Sequence, residues 1–413
     1  MRRLIAYFSA ATLARSADAG AIVAVVLLAA ARPATSGLVG LFGAALTAPH
    51  LAGPFLAPVL DRTRRPRILL AGAFLLYGVS LATAAVLIVG GFVVPSVVAL
   101  VIAGACGPIL TGGLSSQLGQ LVAPTARAQR RAQGADALTY GVAATIGPVV
   151  VALVARSSSA VWATISLAGS AAVAAIVVLL IARRSAAPDD RGEPAPEAVP
   201  FWRALATVFT VGPLRRVTLV VCLTAAAVGA VPLLGLASGI RAGAGASEVA
   251  LLVALFGAGN LIGAVAVTIR PLRTAPEPTV GWTALVSACC LVLIALPLPP
   301  VVNALAFGLV GAVSAVQFAS SLTARSDFAP EGTRAQVFVT VGGLKVAFSS
   351  LGVAVAGVAA VRAPDALLLM APLLPAVAFA TMLADRAAGT FAQRRRGRAS
   401  QRARRPGAAG SAE

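Results

Sequence analysis

The side chains best able to carry chemistry in this sequence are the few charges inside long apolar runs. Arg15 and Asp18 fall in the first run, three residues apart, so a helix would place them on one face, where they could pair. Lys345 is the only lysine of the chain and falls in a late run. An isolated charge in hydrocarbon costs at least ~2.5–3.5 kcal/mol, so each of these groups should face protein or water.

These charges predict either solute and proton handling or structural ion pairs, and the sequence leaves both open. Asp18 could exchange a proton while Arg15 compensates its charge or holds an anionic group of a substrate. A desolvated lysine loses its proton more readily than an arginine. Lys345 could therefore contact the substrate or act as a switching counter-ion for Asp18 or Asp136. The alternative is a Lys345 side chain that extends to the nearby membrane face.

Two more titratable groups are candidates for proton exchange. His50 is the only histidine and falls in the second run, and an imidazole titrates near neutral pH. A structural hydrogen bond between helices is the favoured interpretation of His50. Asp136 is predicted to stand in the first turn of its helix, where the helix dipole stabilises a carboxylate without any functional role.

Neutral amides in the apolar runs could supply hydrogen bonds to a solute, or could equally join helices. They are Gln117, Asn260 and Gln317. The sequence has no Walker-type Gly-x-x-x-x-Gly-Lys-Ser/Thr motif, no nucleophile–base pair and no cluster with metal-ligand spacing. We therefore expect no enzyme, no cofactor and no metal site.

The composition excludes a water-soluble protein. Of 413 residues, 59% are hydrophobic and 11% are charged, with a mean hydropathy of +0.92. Soluble domains carry about 25% charged residues, and a globule of this size needs a polar coat. The net charge of +19 does not predict nucleic-acid binding, because the arginines fall between apolar runs and aromatic residues are only 5%. The expected partners are membrane lipids, with the basic tail near anionic headgroups.

Twelve apolar runs are long enough to cross a bilayer as helices, which takes about 20 residues each. They predict an all-α membrane protein with spans at 4–31, 35–60, 68–91, 97–122, 134–155, 160–182, 214–237, 247–269, 280–297, 300–324, 336–361 and 364–384. The first run also imitates a secretory signal. We expect it to be retained, because cleavage would strand the apolar remainder of the same run.

The arginines orient these spans. With the N-terminus in the cytoplasm, 27 of the 33 Lys and Arg residues fall on the cytoplasmic side and four on the other. This bias predicts a multi-pass protein of the cytoplasmic membrane with both termini in the cytoplasm.

The chain divides near its midpoint into two halves that repeat each other. Arg127-Ala128-Gln129 and Arg334-Ala335-Gln336 stand 207 residues apart. The repeat predicts two pseudo-symmetric six-helix bundles with a solute site between them. The expected units are an N-terminal bundle at 1–182, a cytoplasmic loop with a short amphipathic helix at 183–213, a C-terminal bundle at 214–386, and a disordered basic tail at 387–413.

This six-plus-six plan resembles the Major Facilitator Superfamily over nearly the whole chain. The most specific match follows the second span, where Asp61, Arg62 and Arg65 fit the family pattern Gly-x-x-x-Asp-Arg-x-Gly-Arg-Arg. Ala57 and Arg64 replace its two glycines. The resemblance implies that Asp61, Arg62 and Arg65 form a cytoplasmic gate, whereas the alternative of positive-inside anchoring explains only the arginines.

A second match lies in the fifth span. Gly141, Gly147 and Pro148 are similar to the Gly-Pro element of the family's exporters, although Val151-Ala152 replaces its trailing Gly-Gly. The residues 101–118 of the fourth span carry no charge, so the arginine of many drug/proton antiporters is missing.

The resemblance implies a secondary active transporter that moves a small organic solute by alternating access, with proton-coupled efflux preferred. One alternative is proton-coupled uptake of a metabolite. Another is a transporter-like membrane protein that binds a ligand or lipid without pumping. We expect a monomer. The small apolar residues do not identify the substrate.

Overall fold

The computed structural model describes residues 2–30, 36–63, 65–180, 201–243 and 246–403, and the regular structure in these ranges is helical. The α-helices are α1 (Arg2–Ala30), α2 (Ser36–Thr47), α3 (Gly53–Arg62), α4 (Pro66–Gly90), α5 (Val93–Pro108), α6 (Leu114–Gln117), α7 (Ala126–Ser157), α8 (Ala160–Leu179), α9 (Phe201–Thr210), α10 (Gly212–Gly229), α11 (Val231–Ala242), α12 (Ala246–Ile269), α13 (Pro276–Ala295), α14 (Pro300–Phe328), α15 (Arg334–Arg362), α16 (Pro364–Met370) and α17 (Leu373–Ala403).

Eleven helical segments in these ranges are long and apolar enough to cross a membrane. They correspond to the predicted spans except the second, whose run divides into α2, a 3-10 turn at Ala48–Ala52, and α3. Pro49 stands at the start of that turn, and a proline has no N–H to continue a helix. With this interrupted span included, the predicted all-α, twelve-span plan is confirmed.

Prolines also bend other spans. In the fourth span, α5 ends at Pro108 and a π-helical turn at Ile109–Gly113 leads into α6. Such turns relieve the lost hydrogen bond of a helix-interior proline. In the seventh span, α10 gives way to α11 just before Pro232. The predicted boundaries treat both spans as continuous.

The structure describes part of the predicted central loop and part of the predicted tail. The predicted amphipathic helix is present as α9, in which Val208 is buried while Trp202 and Phe209 are exposed. The tail expected to lack structure is helical as far as Ala403, because α17 continues beyond residue 387. Residues 181–200 and 404–413 lie outside the described ranges.

Each half has its own apolar core. In the N-terminal half, α1 packs on α7 and α8, and α4 packs on α5 and α8. In the C-terminal half, α12 and α13 pack on α14, and α10 packs on α15 and α17. Two of the C-terminal core clusters draw on these helices, one around Phe307 and one around Val280.

The halves meet at the end of the bundle that carries most arginines, which we call the arginine-rich end. It comprises residues 2–3, 61–67, 123–131, 201–216, 270–275 and 325–334. Helix α7 packs there on α12 and α14, and α15 packs on α3 and the π-helical turn. Arg130 Nη1 donates hydrogen bonds to the carbonyls of Leu272 and Thr274 at 2.8 and 3.1 Å. A polar bridge thus joins the halves at this end.

An ion network ties together three helices of the C-terminal half at the same end. Arg216 of α10 contacts Glu277 of α13 at 2.5 Å and Asp385 of α17 at 3.0 Å. Arg215 contacts Asp385 at 2.5 Å, and Arg386 contacts Glu277 at 2.9 Å. The network stabilises this half as a unit.

Candidate functional site: a cavity between the halves

A cavity of about 520 Å³ lies between the halves. Helix α7 of the N-terminal half supplies one wall, and α10, α11, α12, α14 and α15 of the C-terminal half supply the others. This volume is typical of sites for drug-sized molecules. A larger cavity of about 820 Å³ is lined by Arg127, Arg130, Arg270 and Arg273. That cavity lies among the loops of the arginine-rich end, so we place the candidate site in the smaller one.

The cavity combines apolar walls with a few polar groups. Asn260 and Gln317 line it, as predicted for solute contacts. Both also join helices: Asn260 Nδ2 donates to the carbonyl of Gly311 at 3.3 Å, and Gln317 Nε2 donates to the carbonyl of Val280 at 3.3 Å. Gln117 is not among the lining residues, and its Nε2 donates to Ser116 Oγ at 3.1 Å. The structure therefore brings two of the three predicted amides to the cavity.

The glycines of α7 serve close approaches of helices. A Cβ at Gly147 would lie 2.4 Å from the carbonyl oxygen of Ser16, and a Cβ at Gly20 would lie 2.9 Å from that of Gly147. Helices α1 and α7 therefore cross with backbones in contact. Gly141 faces the cavity, where a Cβ would lie 3.1 Å from Asn260 Oδ1. Pro148 lies inside α7 without ending it.

Arg15 pairs with Asp136 in the interior of the N-terminal half. Arg15 Nη1 lies 2.7 Å from Asp136 Oδ1, and the two side chains are 2% and 0% exposed. Tyr7 Oη donates to the same carboxylate oxygen at 2.8 Å, and Ser115 Oγ donates to Oδ2 at 2.6 Å. Arg15 also donates to Thr139 Oγ1. Arg15 thus balances the charge of this carboxylate, and both carboxylate oxygens accept hydrogen bonds.

This arrangement corrects two predictions. The partner of Arg15 is Asp136 rather than Asp18, because α7 crosses α1 so closely that a residue of another helix lies nearer than the next turn of α1. Asp136 does not stand in the first turn of its helix, because α7 begins at Ala126. The helix dipole is therefore not what stabilises this carboxylate.

Asp18 faces His50 instead. Asp18 Oδ1 lies 3.7 Å from His50 Nε2, and the side chains are 21% and 10% exposed. This is an ion-pair distance when the imidazole is protonated. His50 Nδ1 is buried beside the backbone of Leu46 and Thr47. The imidazole has one acidic neighbour, Asp18, and this pairing suits proton exchange.

The His50 turn also lies against the other half. A Cβ at Gly343 of α15 would come within 2.8 Å of the His50 carbonyl oxygen. On its own side, a Cβ at Gly107 would come within 2.3 Å of His50 Nε2. A larger residue at Gly343 would push on the backbone of the His50 turn, and one at Gly107 would push on the imidazole, so α15 and α5 both lie directly against this turn.

A cation–aromatic stack crosses the floor of the cavity from one half to the other. The Arg15 guanidinium lies 3.7 Å from the ring centre of Tyr140. Tyr140 meets Phe318 of α14 edge to face, with ring centres 4.8 Å apart. Lys345 Nζ of α15 lies 3.9 Å from the ring centre of Phe318. Two rings therefore stand between two cations, one from each half.

Arg325 is a buried cation that the sequence prediction missed. It directly follows the predicted tenth span, 300–324, but α14 continues to Phe328 and Arg325 is only 2% exposed. Its Nη2 donates to Ser321 Oγ at 3.0 Å and its guanidinium lies 5.9 Å from the ring centre of Phe338. Nothing in the sequence indicated this burial, because an arginine just beyond the end of a predicted span is ordinarily solvated.

The predicted gate falls at the end of α3. Asp61 and Arg62 are the last residues of this helix, and their side chains lie outside what the structure describes. Arg65 is exposed and precedes the first turn of α4. The helix that carries the first two residues packs against α15 of the other half. No group of three or more His, Cys, Asp or Glu side chains able to hold a metal occurs within the described ranges.

Comparison with known proteins identifies the family to which this architecture belongs. The family model of the Major Facilitator Superfamily matches residues 5–357. No curated protein sequence matches the chain. Among solved structures, a bacterial homologue of the iron transporter ferroportin in its outward-facing state is similar with a TM-score of 0.75 and 15% identity, covering 93% of this chain and 100% of that one.

Two further structures have the same fold. FucP, a Major Facilitator Superfamily transporter in its outward conformation, has a TM-score of 0.70 and 15% identity, with 93% and 98% of the two chains covered. The proton:xylose symporter XylE bound to 6-bromo-6-deoxy-D-glucose has a TM-score of 0.68 and 13% identity, with 92% and 95% covered. The family consists of transporters rather than enzymes, and its fold is the multi-pass, all-helical one described above. The chain belongs to the Major Facilitator Superfamily.

Proposed function

We propose that the chain is a secondary active transporter that exports a small organic solute from the cytoplasm in exchange for entering protons. It works in the cytoplasmic membrane, as a monomer, with both termini inside. The observation that carries the proposal is the cavity at the junction of the halves, which has walls from both of them. A site built this way is exposed to alternate sides when the halves rock against each other.

The contacts between the halves support an outward-open state. They include the Arg130 bridge at the arginine-rich end and the packing of α15 on α3. The excess of arginine at that end supports its location on the cytoplasmic side. Two of the similar structures are also outward-facing. In this state Asp61, Arg62 and Arg65 stand at the closed end, which suits a gate that must separate before the cavity opens inward.

Proton coupling is assigned to Asp18 and His50. Asp136 is a poor candidate, because Arg15, Tyr7 and Ser115 already occupy both oxygens of its buried carboxylate. Asp18 and His50 are more exposed, and their separation leaves the pair loosely joined. Tyr77 of α4 is the titratable neighbour of Asp18 from another helix, and Cys106 of α5 lies near that tyrosine. Protonation of the pair changes the charge beside α15, the helix that lies against the His50 turn and lines the cavity through Lys345 and Ser349.

Transport in liposomes tests the proposal. An overexpressing strain is first screened for resistance to lipophilic cations, organic acids and neutral antibiotics. The purified protein is then reconstituted with an internal pH dye, and compounds that gave resistance are applied with proton gradients of either sign. We expect solute to leave the compartment that protons enter. Solute that moves with protons indicates uptake, and binding without accumulation indicates a non-pumping protein; either outcome overturns the proposal.

Variants of the pair test the coupling site. In Asp18→Asn and in His50→Gln, we expect solute-driven proton movement to fall at least about tenfold, while exchange of labelled for unlabelled solute without a proton gradient continues. Asp365→Asn is the matched control, because Asp365 is exposed on α16. Unchanged proton movement in both variants of the pair would contradict the assignment.

A further inference from the structure

We propose that the cavity binds its solute as an organic anion, with the acidic group at Lys345 and an apolar body against the surrounding rings. The inference rests on the proposed transport function and adds to it the substrate class. It follows from the charge balance around the cavity.

Lys345 is the only charged residue among the described residues that line the cavity. It forms no ion pair with a carboxylate within the described ranges. The acids nearest in depth are already engaged, since Asp136 pairs with Arg15 and Asp18 faces His50. The cavity therefore has a positive charge that the protein itself does not balance.

Arg325 adds to this imbalance. It belongs to α14, the helix that carries Gln317 and Phe318 of the cavity wall, and it is buried without an acidic partner in the described parts of the chain. Its Nε has no hydrogen-bond partner there. Lys345 in the cavity wall and Arg325 further along α14 are thus two buried cations of the C-terminal half without acidic partners in the described ranges, and a buried charge without a partner is costly. An anion in the cavity offsets that cost, whereas a cation would increase it.

A structural explanation of Lys345 is less suitable. The residue is the twelfth of α15, so its Cα lies roughly 16 Å along the helix from Arg334. A side chain that extended to the membrane face would lie along the outside of the bundle. The ammonium lies instead over the Phe318 ring, and the residue lines the cavity. One face of the group contacts the ring, which leaves its donors for a solute.

The remaining walls define the body of the anion. Phe256, Phe318 and Tyr140 offer aromatic surfaces, and Val228 and Val253 offer aliphatic ones. A cavity of about 520 Å³ has room for a carboxylate, sulfonate or phosphate ester that carries one or two rings. A strongly polar solute such as a free sugar would place most of its hydroxyl groups against apolar walls that cannot hydrogen-bond with them.

Charged thiol reagents measure the charge preference of the cavity without knowledge of the substrate. In a background with Cys106, Cys222, Cys289 and Cys290 replaced by alanine, the variant Ala144→Cys places one thiol on the exposed α7 wall of the cavity. It is treated with anionic sulfonatoethyl methanethiosulfonate or cationic trimethylammonioethyl methanethiosulfonate, and each rate is divided by the rate with a free thiol. Val301→Cys, exposed in the first turn of α14, is the control outside the cavity.

We expect the anionic-to-cationic rate ratio to be at least about fivefold higher at Ala144→Cys than at Val301→Cys, which corresponds to ~1 kcal/mol of electrostatic energy. Adding Lys345→Gln should lower the ratio at Ala144→Cys, and Lys345→Arg should keep it. Neither should alter the ratio at Val301→Cys. If Lys345→Gln does not fold, the rate ratios of Ala144→Cys and Val301→Cys in the protein that keeps Lys345 still test whether the cavity prefers the anionic reagent.

Two failures are distinguishable. A thiol at residue 144 that reacts from neither side of the membrane contradicts the cavity and hence the proposed function. A thiol that reacts without preference for the anionic reagent, or with a preference that Lys345→Gln does not change, overturns the anion inference and leaves transport intact.

Discussion

At the scale of single residues, burial separates the charges that hold the fold from those available for function. Arg15 and Asp136 are both almost inaccessible and make several hydrogen bonds, whereas Asp18 and Lys345 keep access to space between helices. The sequence pattern predicts Arg15, Asp18 and Lys345 as charges inside the membrane, and Asp136 as a shallower charge at a helix start. It could not assign their partners, because helical spacing describes only neighbours on one helix. The crossing of α1 and α7 brought Asp136 to Arg15, and no spacing along the chain encodes that contact.

The buried pair gives a prediction about stability. Asp136→Asn leaves the Arg15 charge without its carboxylate, and breaking a buried pair from one side costs about 3–5 kcal/mol in soluble proteins. We expect a marked loss of thermal stability of the detergent-solubilised protein. The double variant Arg15→Met with Asp136→Leu should recover much of it, since no unpaired charge remains.

Thermal unfolding monitored by tryptophan fluorescence measures both effects, with Asp365→Asn as the surface control. Equal stability of Asp136→Asn and the parent would show that the pair does not stabilise the N-terminal half. A double variant less stable than either single variant would show that the polar network is itself required.

At the scale of helices, apolar length predicted the spans well and their interruptions poorly. The run 35–60 was long enough for one helix, and its prolines carried the only sign of the break at Ala48–Ala52. That break matters for function, because it places His50 on a turn rather than on a helix face. Arg325 escaped prediction for the same kind of reason, since α14 continues past the last clearly apolar residues.

The α1–α7 crossing gives a prediction at this scale. In Gly147→Ala, the new Cβ meets the Ser16 carbonyl oxygen at 2.4 Å, so a backbone must move. We expect lower thermal stability and a disturbed Arg15–Asp136 network, despite the gain of up to ~1 kcal/mol that alanine brings to a helix. Gly169→Ala of α8 is the matched control, since its Cβ would meet nothing within 4 Å.

The measurement is thermal unfolding of both alanine variants beside the parent. Gly169→Ala should equal or exceed the parent. If Gly147→Ala is equally stable, the close crossing is not a constraint on the fold.

At the scale of the whole molecule, each half has a core of its own, and a smaller shared cluster of Ala137, Val267, Ala319, Leu322 and Phe338 joins them near the arginine-rich end. The internal repeat predicted two six-helix bundles, and the resemblance carried by Asp61, Arg62 and Arg65 predicted the family. Sequence could not give the conformational state, because an outward-open and an inward-open protein have the same spans. The state is visible only in contacts between halves, such as Gly134 with Thr268.

The close approach of α7 and α12 at the arginine-rich end gives a cross-linking prediction. A Cβ at Gly134 would lie 3.3 Å from Thr268 Cα, so cysteines at these positions are close enough to bond across the halves. In the cysteine-free background, we expect oxidation of Gly134→Cys with Thr268→Cys to stop transport and a reducing agent to restore it. A thiol at residue 144 should stay reactive from one side only while the bond is intact.

Each single-cysteine variant serves as a control, since neither can form the bond. Transport that continues in the oxidised double variant would mean that α7 and α12 need not part during the cycle. Reactivity at residue 144 from both sides would mean that the closed end is not sealed.

The cation–aromatic stack has a consequence for the energetics of the cycle. Tyr140 and Phe318 belong to opposite halves, so the rings must separate whenever the arginine-rich end opens. Tyr140 then still contacts Arg15 and Phe318 still contacts Lys345, but the two rings no longer contact each other. The ring edges exposed in this way need other apolar groups to pack against. A bound solute with a flat hydrophobic body can supply that cover, whereas water cannot. Reorientation without solute therefore carries a free-energy cost that the solute-loaded carrier avoids, and in a proton exchanger the binding of the entering proton must offset that cost.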